Sequence, residues 1–161
     1  MTVRFRLDGD DVALDCDDDT RLTDILRERM ERTETKIACS IGRCGACTVL
    51  MDGRAVNACL LMAYQLDGRE IVTADGLESH PLGAAIRAGL AEENAFQCGY
   101  CAPGFSVALV ALLSDNPRAD EDAIRAGLEG NICRCTGYHS ILRGALNAAR
   151  RIRGEHPASG D

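Results

Sequence analysis

No hydrophobic run in the sequence is long enough to cross a membrane: the apolar stretch from Val107 to Leu113 falls far short of the roughly 20 residues a span requires. Proline is scarce, with four residues, and 27% of the chain is charged at a mean hydropathy of -0.10, which excludes a disordered chain and indicates a folded globular one. Basic excess is lacking too. A net charge of -7 and a pI near 5.0 argue against a nucleic-acid partner, which would favour a basic stripe. Catalytic signatures are equally sparse: there is no phosphate loop, no G-x-G-x-x-G and no nucleophile elbow. The histidines His80, His139 and His156 stand apart from any partner carboxylate or cysteine base in sequence, and read as surface or loop residues. The opening residues, Met1-Thr2-Val3-Arg4-Phe5, run directly into a strand-like alternation without a basic segment, apolar segment or cleavage site, so a cytoplasmic protein is expected.

Cysteine is what the sequence has in excess: nine residues in 161. In a reducing compartment, clustered cysteines point to metal binding or redox chemistry rather than to disulfide stapling.

The chain is 46% hydrophobic and long enough for one generous domain or two small ones with separate cores. Val3, Phe5 and Leu7 alternate with Arg4, Arg6 and Asp8, and after Gly9-Asp10 the alternation resumes through Val12, Leu14 and Cys16, which predicts a β-hairpin. Cys16, in phase with Val12 and Leu14, reads as a small buried hydrophobe. Asp17-Asp18-Asp19-Thr20 offers an N-cap and a negative first turn for a helix through Leu22, Ile25, Leu26 and Met30. A second hairpin is expected at Thr48 to Asn57 around Asp52-Gly53. Counting outward from that turn puts Cys47 opposite Ala58, so Cys59 returns to within a residue of Cys47. Glu70 to Thr73 reads as a closing strand, and Asp75 to Pro81 as a connector. Helical periodicity then takes over, through Ala85 to Leu90, Pro103 to Leu113, Asp120 to Leu128 and Tyr138 to Ile152. The expected organisation is a β-rich domain over 1–76 and a helical domain over 77–161, without internal repeats.

Two cysteine constellations lie on this frame. Cys39, Cys44 and Cys47, with the distant Cys59, form the C-x4-C-x2-C…C spacing of plant-type [2Fe-2S] proteins. Four thiolates must converge on a small anionic core from one tight loop and one strand, and Gly42 and Gly45 let the backbone curl and offer N–H groups to the sulfurs. A structural zinc site is the alternative, although zinc sites usually pair two short knuckles. Cys98 and Cys101 pair with Cys133 and Cys135 as a second group, each pair just ahead of a predicted helix whose N-terminus suits an anionic centre. Zinc again, or dithiol exchange at Cys98 and Cys101, are the alternatives, the latter expecting a βαβ setting that is not seen here.

These residues resemble a known family. The segments Thr35 to Val49, Gln97-Cys98-Gly99-Tyr100-Cys101 and Gly130-Asn131-Ile132-Cys133-Arg134-Cys135-Thr136-Gly137-Tyr138 are similar to the small iron-sulfur subunit of the molybdenum hydroxylases, which include xanthine dehydrogenases, aldehyde oxidoreductases and carbon monoxide dehydrogenases. The similarity spans about Phe5 to Ile152. It implies an α+β chain: a β-grasp plant-type ferredoxin-like domain holding one [2Fe-2S] cluster at Cys39, Cys44, Cys47 and Cys59, then a helical-bundle domain holding another at Cys98, Cys101, Cys133 and Cys135. It further implies that Gln97 and Cys135 approach the molybdopterin of a large partner subunit. Electrons would pass from there through both clusters to FAD on another subunit or to a different acceptor. No substrate-transforming residue is expected on this chain. The substrate of the complex would be a purine, another N-heterocycle or an aldehyde, and Ser40 to Arg43 and Val56 to Cys59 look more like purine- or heterocycle-oxidising members than carbon monoxide dehydrogenases. Two positions depart from the pattern: Ala38 stands where glycine often precedes the first ligand, and Ala102 where threonine commonly follows the Cys-Gly-Tyr-Cys unit. A free-standing soluble ferredoxin that docks transiently with several partners, against which the second cluster domain argues, and a zinc-dependent structural or interaction module are the competing classes.

Overall fold

The computed structural model of the protein describes residues 1–155. His156 therefore lies outside the described residues. Strands β1 (Thr2–Leu7) and β2 (Asp10–Asp15) form the first hairpin, with Val3, Phe5 and Leu7 buried and the residues between them exposed. β3 (Thr48–Met51) and β4 (Arg54–Asn57) form the second, with Met51 opposite Arg54 as counted from the turn. β5 (Glu70–Val72) enters the middle, parallel to β1 and antiparallel to β3, so the sheet order is β2-β1-β5-β3-β4. One face of the sheet packs on Leu22, Ile25, Leu26, Ala63 and Leu66, and this core also contains Cys16, 7% exposed as expected of a small hydrophobe.

The helix expected after the acid run is shorter and wider than its pattern suggests. α1 (Leu22–Asp24) gives way to a π-helical turn over Ile25–Arg29, and its N-cap is Arg21, with no capping side chain. The acid run does not cap it because the chain there is engaged in pairing: Arg21 bridges to Met62, and the carbonyls of Asp18 and Thr20 accept from the N–H groups of Tyr64 and Ala63 at 3.2 and 2.8 Å. Asp17, Asp18 and Asp19 stay exposed to water.

The connector tightens into a 3-10 turn over Asp75–Ser79 whose Leu77 is buried in the second core. In the same stretch His80 accepts the Leu82 N–H on Nδ1 at 3.1 Å, a turn-forming role. Among the described residues four helices follow: α2 (Gly83–Glu92), α3 (Ala102–Asp115), α4 (Glu121–Gly127) and α5 (His139–Ile152). Their apolar faces meet through Ile86, Leu90, Phe105, Leu109, Leu113, Ile124, Ile141 and Ala145. α3 lies against β3, whose Leu50 belongs to the helical core rather than to the sheet core. The two cores therefore meet along the strand that directly follows Cys47.

Candidate metal centres

The loop carrying Cys39, Cys44 and Cys47 runs straight into β3. Its backbone curls around the first sulfur: the N–H groups of Ile41, Arg43 and Cys44 donate to Cys39 Sγ at 3.5, 3.3 and 3.4 Å, and Ala46 N–H donates to Cys44 Sγ at 3.5 Å. The donor on Ile41 foremost, followed by those on Arg43 and Cys44, brings the Cys39 thiol down to about 6, so it is a thiolate at neutral pH. The curl depends on Gly45, at φ 72°: a side chain there would run into the Gly130 carbonyl and the Asn131 amide. Asn57 Nδ2 and Arg21 Nη1 hold the loop from either side by donating to the carbonyls of Gly42 (3.0 Å) and Ser40 (3.2 Å).

The second hairpin brings Cys59 back as its register requires. Ala58 N–H donates to the Cys47 carbonyl at 3.1 Å, and Cys59 N–H donates to Cys47 Sγ at 3.5 Å. Both thiols are buried, and burial pushes the Cys47 thiol up to about 12. Without a cation Cys47 stays protonated, whereas a coordinating metal deprotonates a thiol outright.

At the second group, Cys101 is the N-cap of α3, while Cys133 and Cys135 precede α5, whose N-cap is Tyr138. Cys98 Sγ and Cys135 Sγ lie 3.7 Å apart and both residues are exposed, as is Gln97 just ahead of Cys98. Cys133 is buried and Cys101 half-buried. Burial foremost, then the neighbouring Cys133 thiol, pushes Cys101 up to about 12. For Cys133, burial is the largest influence and opposes ionisation, but the Thr136 hydroxyl and the backbone of Thr136 and Cys135 together outweigh it and lower the thiol below its ordinary value. Cys135 is raised, chiefly by its hydrogen bond with Cys98.

The direct donors to these sulfurs lie in the turns beside the helices. Among the described residues the donors to these sulfurs include Tyr100 N–H, to Cys98 at 3.4 Å, the Cys135 thiol, also to Cys98, and the Thr136 hydroxyl, to Cys133 at 3.1 Å, beside the backbone of Thr136 and Cys135. Near the start of α3, Ala102 N–H donates to the Gly99 carbonyl and Phe105 N–H to the Cys101 carbonyl, and Pro103 has no N–H to offer.

The two groups are joined by direct hydrogen bonds. Ile132 N–H donates to the Cys44 carbonyl at 2.9 Å, and the buried Asn131 amide donates to the Gly45 carbonyl at 3.2 Å. The Tyr100 hydroxyl, between Cys98 and Cys101, donates to the Ile37 carbonyl, two residues before Cys39. Sequence reasoning gave Asn131, Tyr100 and Asn57 no role. Their signal was only membership of the motifs and hairpin, because each acts on backbone far away in the chain.

The thiols associate two by two: Cys39 with Cys44, Cys47 with Cys59, Cys98 with Cys135, and Cys101 with Cys133. Among the described residues, no group of three or more His, Cys, Asp or Glu side chains gathers closely enough to hold one metal ion. Pairs of thiols suit a binuclear core, in which each of two irons takes two protein sulfurs. A cleft of about 510 Å³ is lined by residues such as Asp75, Ile86, Arg87 and Phe96 and by no cysteine.

Comparison with known proteins agrees with this geometry. Residues 5–77 match the 2Fe-2S iron-sulfur cluster binding domain and residues 73–146 the [2Fe-2S] binding domain. The chain is 48% identical over 141 residues to a Bacillus subtilis protein named as a probable xanthine dehydrogenase subunit, covering 88% of this chain and 81% of that one. It is 37% identical over 149 residues to the nicotinate dehydrogenase small FeS subunit of Eubacterium barkeri, covering 91% and 95%. Among solved structures, the aldehyde oxidoreductase of Desulfovibrio desulfuricans superposes with a TM-score of 0.89 at 32% identity, over 96% of this chain but only 17% of that much longer one. The fold class is thus as expected, a β-grasp ferredoxin-like domain followed by a helical [2Fe-2S] domain. With two cluster-binding domains in this order, and relatives that match it over most of their length, the chain belongs to the family of small iron-sulfur subunits of the molybdenum hydroxylases.

Proposed function

We propose that this chain relays electrons from the molybdopterin of a large partner subunit, through two [2Fe-2S] clusters, to FAD on a further subunit or to another acceptor. Cys98, Cys101, Cys133 and Cys135 would hold the cluster that receives electrons, with Gln97 and Cys135 toward the pterin. Cys39, Cys44, Cys47 and Cys59 would hold the cluster that passes them on. When bound, each cluster supplies one-electron storage. The residues of this chain supply the rest: thiolate ligands, N–H donors that accommodate negative charge on sulfur, and a short join between the two sites.

The observation that carries this reading is the hydrogen bond from Ile132 N–H to the Cys44 carbonyl, which links the residue beside Cys133 to a residue of the other group. A carrier built to meet partners at one centre has no need of such a join. We assign the units to residues 1–76 and 77–161, a division supported by the separate cores. The complex would oxidise a purine, another N-heterocycle or an aldehyde, in keeping with the xanthine and nicotinate dehydrogenases among the relatives. A cytoplasmic location fits the use of cysteines as ligands.

The test is iron, labile sulfide and EPR on the complex purified from its native source. The expected result is about four irons and four sulfides per chain, two per cluster, with two distinguishable reduced signals and a molybdenum-containing chain co-purifying. Zinc without sulfide, or a chain that stays alone at physiological concentration, would refute the reading.

A further inference from the structure

Between Cys133 and α5 the chain closes a small hydrogen-bond circuit. The Thr136 hydroxyl donates to Cys133 Sγ at 3.1 Å. The same oxygen accepts Tyr138 N–H at 3.1 Å, and the Tyr138 phenol oxygen in turn accepts Cys133 N–H at 3.2 Å. Tyr138 pays for its place in the circuit with backbone strain, since it sits at φ 72°, a left-handed conformation that tyrosine rarely adopts. Its ring is fixed edge-on against Phe105, with centroids 6.5 Å apart, and Phe105 is 1% exposed in the helical core. Such strain persists only where surrounding structure holds it, and it tends to cluster at functional sites.

The consequence is a difference in the way the two groups meet negative charge. At the first, every donor to sulfur among the described residues, apart from the thiols themselves, is a backbone N–H. At the second, the buried sulfur is met by a side-chain hydroxyl as well as by backbone, and the Cys133 N–H, instead of turning to a sulfur, is tied up by Tyr138.

We propose that Thr136 sets the reduction potential of the second centre by donating its hydroxyl hydrogen to Cys133 Sγ, with Tyr138 as the residue that fixes Thr136 in place. The proposal rests on the ligand assignment above. A ligand sulfur carries more negative charge when its cluster holds the added electron, so a donor to that sulfur stabilises the reduced form more than the oxidised one and raises the potential. Thr136 is a positioning residue: it acts through Cys133.

The experiment is an EPR-monitored redox titration of the intact complex carrying Thr136→Val, Thr136→Ser or Tyr138→Phe. Thr136→Val removes the donor at nearly constant volume. It should lower the midpoint of one of the two signals by about tenfold in the reduction equilibrium, about 59 mV for one electron, and leave the other signal in place. Thr136→Ser should retain the parental midpoint, and Tyr138→Phe, which keeps the backbone N–H to Thr136 and loses only the phenol oxygen that accepts Cys133 N–H, should move that signal by less than Thr136→Val does. Unchanged midpoints in Thr136→Val, equal shifts of both signals, or loss of half the iron and sulfide would each overturn the proposal, the last by making Thr136 structural. Cys133→Ser separates the two levels of inference: two undisturbed signals in that variant would refute the ligand assignment itself.

Discussion

The two cysteine groups solve one electrostatic problem by different means. In the first, a single loop wraps its sulfurs in backbone N–H groups, with Ile41, Arg43 and Cys44 all turned on Cys39. In the second, two segments separated by a pair of helices meet, and a side-chain hydroxyl, that of Thr136, joins the backbone donors. A backbone donor is altered only by redirecting the chain, whereas a side-chain donor is removed by one substitution. The first centre is therefore fixed by its loop, and the second is open to tuning through side chains. Stability divides in the same way, because the first group borders the sheet core while the second depends on helices staying packed.

The strongest way to break this comparison is to damage one core at a time. Phe105→Ala should cost about 3–5 kcal/mol and Leu26→Ala about 2–5 kcal/mol, as expected for fully buried side chains. In denaturant titrations followed by EPR, Phe105→Ala is expected to lose the second signal first and Leu26→Ala the first. If either variant loses both signals together, the halves form one cooperative unit.

A smaller effect is expected at the join. Gly45→Ala forces a left-handed backbone on alanine and presses its methyl group on the Gly130 carbonyl, at a cost of about 1–3 kcal/mol. Because the strain falls between the groups, the expected outcome in EPR is broadening or shifting of both signals, along with a lower thermal midpoint. A change confined to the first signal would mean that the join carries no coupling.

The smallest effect concerns the connector. Burial foremost, then the nearby Glu34 carboxylate, holds Asp75 above the ordinary carboxylate range. A raised carboxyl pKa gives stability that is complete below the unfolded value and is lost as pH rises through the folded one, so at neutral pH the ionised group is a burden. Asp75→Asn should raise the thermal midpoint slightly at pH 7 and confer no advantage near about pH 3, below the unperturbed carboxylate pKa. A gain that persists in acid would point to packing instead.

Much of this was readable in the chain itself. The alternation of Val3, Phe5 and Leu7, the Asp52-Gly53 turn and the return of Cys59 to Cys47 are local, because hairpin register follows from turn length. The acid run misled for the opposite reason: its pattern suits a helix cap, but pairing of Arg21 with Met62 draws that stretch into extended structure. The helix start beside Cys101 likewise suggested donors, of which Ala102 and Phe105 N–H are claimed by local carbonyls and Pro103 has none.

Spacing and periodicity, which are properties of neighbours along the chain, were enough to establish which cysteines stand together, that Cys16 stands apart, and that sheet precedes helices. It took folding in three dimensions to bring Ile132 to Cys44, Asn131 to Gly45 and Tyr100 to Ile37. Those contacts join residues dozens of positions apart, and their partners are backbone carbonyls, which every residue carries and no sequence pattern marks.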